Sequence, residues 1–268
     1  MKYGALAIIV LIVLYACSAK PYSETNKSYK KQVKAFSELL DEYPLEDSAG
    51  LPYASNFVGT TNLSMRRPNF VVIHHTAQNS CDQTLRTFTL PRTQVSAHYV
   101  ICRDGKVYHM LNDLLRAHHA GVSKWGQATD LNSSSIGIEL DNNGFENFSE
   151  EQIKSLNDLL GRLKRAFNIP AANFIGHGDI APTRKNDPNW RFPWKQLADQ
   201  GYGIWWNDTS SVVVPPNFDH LQAIRLIGFD TRDTMAAVVA FKRHFLQDTT
   251  KGMTEPSMKV LYQLYRKY

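Results

Sequence analysis

Histidine, aspartate and lysine crowd one stretch of this 268-residue chain, Ile175 to Trp194, which reads IGHGDIAPTRKNDPNWRFPW. Its prolines and glycines break helices and its polarity does not suit a strand, so a long loop is expected, and long loops inside compact chains carry function. His177 and Asp187 lie in it, with Lys185 just before the aspartate. Imidazole and carboxylate suit zinc, and a catalytic zinc takes three protein ligands with one position left open. The third ligand must come from elsewhere, and the best source is the pair His74-His75, which ends the apolar run Phe70-Val71-Val72-Ile73. A strand ending in histidine presents a ring at the sheet's edge, although the same residue can equally be a hydrogen-bonded framework histidine. Glu139, among Ile136, Ile138 and Leu140, poses a similar choice. A carboxylate there is costly unless it faces a cleft, finds a partner or points to solvent.

The elements that must position these groups alternate strand and helix. The apolar runs predict strands at Phe70 to His74 and Ile136 to Leu140, and a short helix over Gln83 to Leu90. His98 to Arg103 and Lys106 to Met110 form a hairpin about the turn Arg103-Asp104-Gly105-Lys106. Ser149 followed by Gln152 is a capping-box signature, and Ile153, Leu156, Leu159, Leu160, Leu163 and Phe167 keep helical spacing up to the stop at Pro170. Phe174 to Gly176 then leads back to the sheet. The fold class is α/β, a mixed central β-sheet flanked by helices.

The chain opens with Lys2, an apolar stretch from Ala5 to Tyr15, and Ala16-Cys17, too short to span a membrane and shaped like a signal peptide. Ala16-Cys17 resembles a bacterial lipobox, with residues 1–16 the signal and Cys17 the lipidated residue; a plain N-terminal anchor helix is the rival reading. Ser18 resembles the residue that follows the cysteine in lipoproteins sent to an outer membrane. Residues 17–66 form a polar tether and lead-in with one amphipathic helix near Tyr29 to Leu40. A hydrophobic content of 43% and a formal charge of +5 fit an exported globular chain that meets an acidic polymer such as cell wall, and nothing points to nucleic acid. Cys81 and Cys102 can pair in an oxidising compartment; the sequence leaves the pairing open.

The string G-H-x-D-I-A-P-x-R-K-x-D-P-x-x-x-F-P-W, with VVIHHTA at Val71 to Ala77, SAHYVI at Ser96 to Ile101, RDGKVY at Arg103 to Tyr108, HAGVSKW at His119 to Trp125 and NSSSIGIEL at Asn132 to Leu140, resembles the zinc-dependent N-acetylmuramoyl-L-alanine amidases of type 2, a family shared with the peptidoglycan recognition proteins. The resemblance covers roughly residues 65–200, and the catalytic domain it implies is 67–205. It implies zinc held by His74, His177 and Asp187, with Glu139 as general base and Lys185 stabilising the oxyanion. The bond implied is the amide between N-acetylmuramic acid, intact or 1,6-anhydro, and L-alanine of the stem peptide. His74 aligns with the family's ligand, and strand alternation turns His75 the other way. Where some relatives hold a tyrosine near the metal this chain has Ala97, which leaves that role to Glu139 or absent. Trp125 is a candidate wall for sugar or peptide, with core packing as the alternative, and Arg184 a candidate for a stem-peptide carboxylate. His98 and His119 read as framework or as cleft lining.

After residues 206–216, a linker with Pro215-Pro216, three helices are expected near His220 to Ile227, Asp233 to Leu246 and Glu255 to Arg266. IGFD followed by MAAVVAFKRHF resembles a small peptidoglycan-binding domain over residues 217–268; a helical extension supporting the catalytic domain is the alternative. The partners implied are peptidoglycan and muropeptides, and a membrane through the lipid anchor, for a monomer in the bacterial envelope on an outer membrane facing the periplasm. A non-catalytic receptor of the recognition-protein kind is the competing function; retention of all three ligand residues with Glu139 and Lys185 favours the enzyme. A zinc peptidase acting within the stem peptide would share the metal chemistry and differ in the bond attacked.

Overall fold

The computed structural model describes residues 21–41, 60–62 and 64–267; the apolar stretch, Ala16 and Cys17 lie outside these. The chain divides into two compact units, Met1–Leu63 and Ser64–Tyr268. In the first, helix α1 (Ser23–Asp41) runs through and beyond the expected Tyr29 to Leu40, with Phe36, Leu39 and Leu40 exposed. No helix among the described residues is long and apolar enough to cross a membrane.

The second unit is built on β1 (Phe70–His75), β2 (Tyr99–Ile101), β3 (Val107–His109), β4 (Ser135–Leu140) and β5 (Phe174–Gly176), in the order β3-β2-β4-β1-β5. β1 runs parallel to β4 and β5, β2 runs parallel to β4, and only the β2–β3 pair is antiparallel. The hairpin forms where Asp-Gly predicts it, but its strands are shorter than His98 to Arg103 and Lys106 to Met110, because Cys102 N–H already closes the turn on the Lys106 carbonyl at 2.9 Å.

Alternation sorts β1 onto two cores. Val71 and Ile73 pack with Ile136, Ile138, Leu140, Phe174 and helix α4 (Glu150–Phe167), which follows α2 (Cys81–Thr89) and α3 (Leu131–Ser134). Val72 and Ile175 face the opposite side, where Trp125, Leu131 and the C-terminal helices cover them. A parallel sheet buried on both faces reads as a continuous apolar run, as β1 does. Helix α4 begins where Ser149 Oγ accepts the Gln152 N–H at 3.1 Å and ends at Asn168 in the left-handed region. The reciprocal half of the expected capping box does not form. Gln152 donates instead to the Ile101 carbonyl at 2.8 Å and the Asp141 carbonyl at 3.1 Å, stitching the helix start to the ends of β2 and β4.

Helix α2 starts two residues before the expected Gln83, because Ser80 caps it by accepting the Gln83 N–H. Its first residue, Cys81, is bonded to Cys102, with Cα atoms 5.4 Å apart. The expected long loop is not wholly irregular: after β5 the chain makes the short helix α5 (His177–Ile180), and regular structure resumes at α6 (Trp194–Asp199). The C-terminal helices α7 (His220–Ile227), α8 (Thr234–Leu246) and α9 (Glu255–Lys267) stand where periodicity predicts. Their apolar residues Ala223, Ile224, Phe229, Val238, Phe241 and Leu261 belong to the same cluster as Val72 and Ile175 of the sheet.

Candidate metal centre

His74 lies near the carboxyl end of β1, His177 is the first residue after β5, and Asp187 returns from the loop beyond α5. This is the end of a parallel sheet where open α/β folds hold their ligands. Gly178 N–H donates to the Asp187 carbonyl at 2.6 Å, and Lys185 N–H to the Ala181 carbonyl at 3.0 Å, so the loop folds back on the residue after His177. All three side chains are buried, and their ligand atoms converge. His74 Nδ1 and His177 Nδ1 are 3.0 Å apart, and each lies within 3.1 Å of Asp187 Oδ2.

The outer hydrogen bonds decide which ring nitrogens carry protons. Ser135 Oγ donates to the Leu131 carbonyl, so it must accept from His119 Nε2, 3.1 Å away. His119 Nδ1 is then the acceptor for His74 Nε2–H at 3.0 Å, and the His74 Nδ1 lone pair is left facing inward. His177 Nε2 donates to the Ala120 carbonyl at 3.1 Å, which turns its Nδ1 lone pair inward as well. Two imidazole lone pairs and a carboxylate oxygen pointed at one another repel unless a cation sits among them. In a tetrahedron with metal–ligand distances of about 2.0 to 2.1 Å, neighbouring ligand atoms stand about 3.3 Å apart, close to the observed triangle. The residues therefore fit a zinc ion, and the outer partners supply the second layer that such histidines need.

Titration agrees. Burial, then the neighbouring His177, pushes His74 down to about 4. Burial likewise takes His119 well below its ordinary value. Burial alone would raise Asp187, but its contacts with His177 and His74 hold it well below the usual carboxylate range. Glu139 pairs with His74 in the β1–β4 register, so the two side chains share a sheet face. Its Oε2 is buried without a hydrogen-bond partner. Burial and the charge of Asp187 raise it to about 8, and Lys185 pulls the other way, so the exposed lysine's charge reaches Glu139.

The structure thus brings His74, His177, Asp187, Glu139 and the charge of Lys185 together. His75 turns to the opposite side, as alternation requires, where its Nδ1 accepts the Asn189 N–H at 3.0 Å. Trp125 is not in a cleft wall. It is buried, edge-on to Phe229 at 4.9 Å and pressed against Gly228, because the C-terminal helices cover that face. Arg184 Nη2 donates to the Ala120 and Val122 carbonyls at 3.1 and 2.6 Å, anchoring the loop that also receives His177. His98 is framework: its Nδ1 accepts the Gly137 N–H at 3.0 Å, and its Nε2 meets the Leu115 carbonyl.

Sequence reasoning left His119 undecided between framework and cleft. A signal was available in Gly137, a glycine inside an apolar strand, which marks close approach. A Cβ there would run into the His119 ring. Asp179, Arg243 and His244 were not singled out at all; on pattern alone Lys242-Arg243-His244 are charges that suit the C-terminus of a helix, and nothing local links them to Asp179.

A family profile described as N-acetylmuramoyl-L-alanine amidase matches residues 64–190. The chain is 31% identical over 242 residues to the N-acetylmuramoyl-L-alanine amidase AmiD of Escherichia coli (strain K12), covering 75% of this chain and 84% of that protein. The structure of E. coli AmiD in complex with anhydro-N-acetylmuramic acid-L-Ala-D-γ-Glu-L-Lys superposes with a TM-score of 0.69 at 29% identity, covering 78% of this chain and 93% of the other. AmpDh3 from Pseudomonas aeruginosa, in complex with anhydromuramic pentapeptide, gives a TM-score of 0.70 at 29% identity over 81% of this chain and 99% of that one. With the profile, the similarity over three quarters of the chain and the shared fold in agreement, the chain belongs to the type 2 N-acetylmuramoyl-L-alanine amidase family.

Proposed function

We propose that this protein is a zinc-dependent amidase that hydrolyses the bond between the lactyl group of N-acetylmuramic acid, intact or 1,6-anhydro, and L-alanine in peptidoglycan and its fragments, in cell-wall turnover or recycling. The observation that carries the reading is the convergence of three ligand atoms beside Glu139, whose Oε2 is buried without a hydrogen-bond partner. Zinc held by His74, His177 and Asp187 would polarise the scissile carbonyl and acidify a water molecule. Glu139 takes the proton from the attacking water and returns it to the leaving amine; without a metal its carboxyl stands at about 8, and a bound cation would lower it toward the ionised form that a base needs. Lys185 places its ammonium to stabilise the developing oxyanion. Arg184, exposed and anchored beside Val122, is assigned to a stem-peptide carboxylate.

The relatives' names and bound ligands support the substrate class. The Cys81–Cys102 disulfide supports an oxidising compartment. That agrees with an envelope protein lipidated at Cys17, carried on an outer membrane facing the periplasm and acting as a monomer.

The test is incubation of a form lacking residues 1–17 with purified muropeptides, with and without chelator, the products identified by mass. Separation into free sugar and a peptide with a new N-terminal alanine, abolished by chelation and restored by zinc, is expected. Muropeptides that are bound but left intact in zinc would hand the site to the receptor reading. Glu139→Ala and Lys185→Ala are each expected to lower kcat by about 10²-fold or more, and near-normal turnover removes that residue from the mechanism.

A further inference from the structure

Helix α8 carries three consecutive polar side chains, Lys242, Arg243 and His244, all of them buried. Lys242 belongs to its own end of the helix, where Nζ donates to the Thr250 and Gly252 carbonyls at 3.0 and 3.2 Å and pairs with Asp248 at 2.8 Å. The other two reach α5. His244 Nδ1 lies 2.7 Å from Asp179 Oδ2, and its ring stacks on Trp194 with centroids 3.9 Å apart and planes 12° from parallel. The same Asp179 oxygen accepts the Gly176 N–H at 2.7 Å. Gly176 and Asp179 flank His177, so one carboxylate fastens the strand end and the short helix that together aim this ligand. On the next residue, Gly178, a Cβ would collide with the Arg243 guanidinium and come within 3.1 Å of the Lys185 carbonyl. Arg243 thus packs directly on the backbone between His177 and the loop bearing Lys185 and Asp187.

We infer that His244, acting through Asp179, is a positioning residue of the metal centre, so that the C-terminal helical segment supplies part of the support on which His177 depends. The inference rests on His177 being a zinc ligand. Four residues in a short helix cannot hold a ring direction by their own hydrogen bonds. The lone pair of His177 is aimed by the Ala120 carbonyl on one side and by the Gly176–Asp179 clasp beneath it. His244 fixes the clasp, and Trp194 fixes His244.

The test uses the full chain in detergent, with the zinc dissociation constant from chelator competition as the main readout and unfolding of the metal-free protein beside it. His244→Phe keeps a ring to stack on Trp194 and removes the Nδ1 contact; it is expected to weaken zinc binding by about 10- to 100-fold, the range for losing an outer-layer partner of a ligand, and to lower kcat with little change in KM. His244→Asn, whose amide nitrogen stands where Nδ1 does, restores a donor to Asp179 and is expected to recover part of the affinity. Asp179→Asn should weaken binding similarly, and combining it with His244→Phe should add little, since both break one connection. Zinc affinity unchanged in His244→Phe overturns the inference, even if the variant melts earlier. If His244→Phe does not fold, Asp179→Asn decides in the same way: affinity equal to the parent overturns the inference and a loss supports it. A parent chain that binds no zinc would overturn the metal assignment itself, whereas a parent that binds with variants equal to it removes only the role of His244.

Discussion

Two of the histidines in and around the candidate metal centre are held neutral by the fold far below their ordinary range. His74 and His98 take a proton at about 4, against 6.5 for an unhindered imidazole, and burial is the first cause for both. Between these values the unfolded chain binds the protons and the fold does not, so the stability tied to these groups is present above pH 6.5 and lost as pH falls toward 4. Each is worth on the order of 3 kcal/mol. Glu139 acts in the opposite sense: the fold keeps its proton from 4.5 up to about 8, so its contribution declines as pH rises through that window. Urea unfolding of the metal-free protein is therefore expected to show a steep loss of midpoint from pH 6.5 to 4, and Glu139→Gln a higher midpoint than the parent at pH 8. A flat profile below pH 6.5 would mean that these imidazoles are not held neutral. At this scale the convergence of His74, His177 and Asp187 was expected from residue type and order, and the three side chains do meet. The tautomers were not, because each depends on a carbonyl or hydroxyl brought from a distant part of the chain.

The same dependence appears between elements. Strand β4 could have been given a larger apolar residue at position 137 on pattern alone, yet His119 occupies the space its side chain would need. Gly137→Ala is expected to push that ring off His74 Nε2, costing about 1 to 3 kcal/mol as an overpacked site does and weakening zinc binding along with it. Thermal unfolding with and without zinc checks this; a variant with unchanged metal affinity would show that His119 can move without disturbing His74. Helices α4, α7, α8 and α9 were readable from apolar spacing and cap residues, to within two residues at each end. The hairpin strands were overextended because the turn closes at Cys102, and the role of Gln152 was misjudged because the ends of β2 and β4 are finished by contacts with α4; periodicity inside a strand says nothing of either.

Across the whole second unit, the C-terminal helices cover one face of the sheet. Phe229, Phe241, Phe245, Ile224, Val238 and Leu261 lie in one cluster with Val72, Ile175 and Leu131. Large apolar side chains contribute about 1.5 to 3 kcal/mol each on burial, so removing these six forfeits on the order of 10 kcal/mol, comparable to the whole stability of a typical domain. A chain ended after Trp206 is therefore expected to be largely insoluble or to bind a hydrophobic dye and lack a native near-ultraviolet dichroism spectrum. A soluble fragment with a native spectrum and parental zinc affinity would show the catalytic segment to be self-sufficient. The composition break at residues 206–216 was visible in the sequence, but whether the segment beyond it stands apart or shares a core depends on surfaces that meet only after folding.

What the chain determined by itself is what short-range chemistry can encode: strands from runs of apolar residues, helices from spacing and caps, a turn from Asp-Gly, and a candidate group of His74, His177 and Asp187 in a recognisable order. The tertiary structure alone decided which nitrogen of each imidazole turns toward Asp187, that Cys81 and Cys102 meet, that Trp125 is core, and that His244 meets Asp179. The physical reason is range. Propensity and periodicity act over a few residues, whereas a lone pair is aimed, and a buried carboxylate left free or satisfied, by partners tens to more than a hundred positions away.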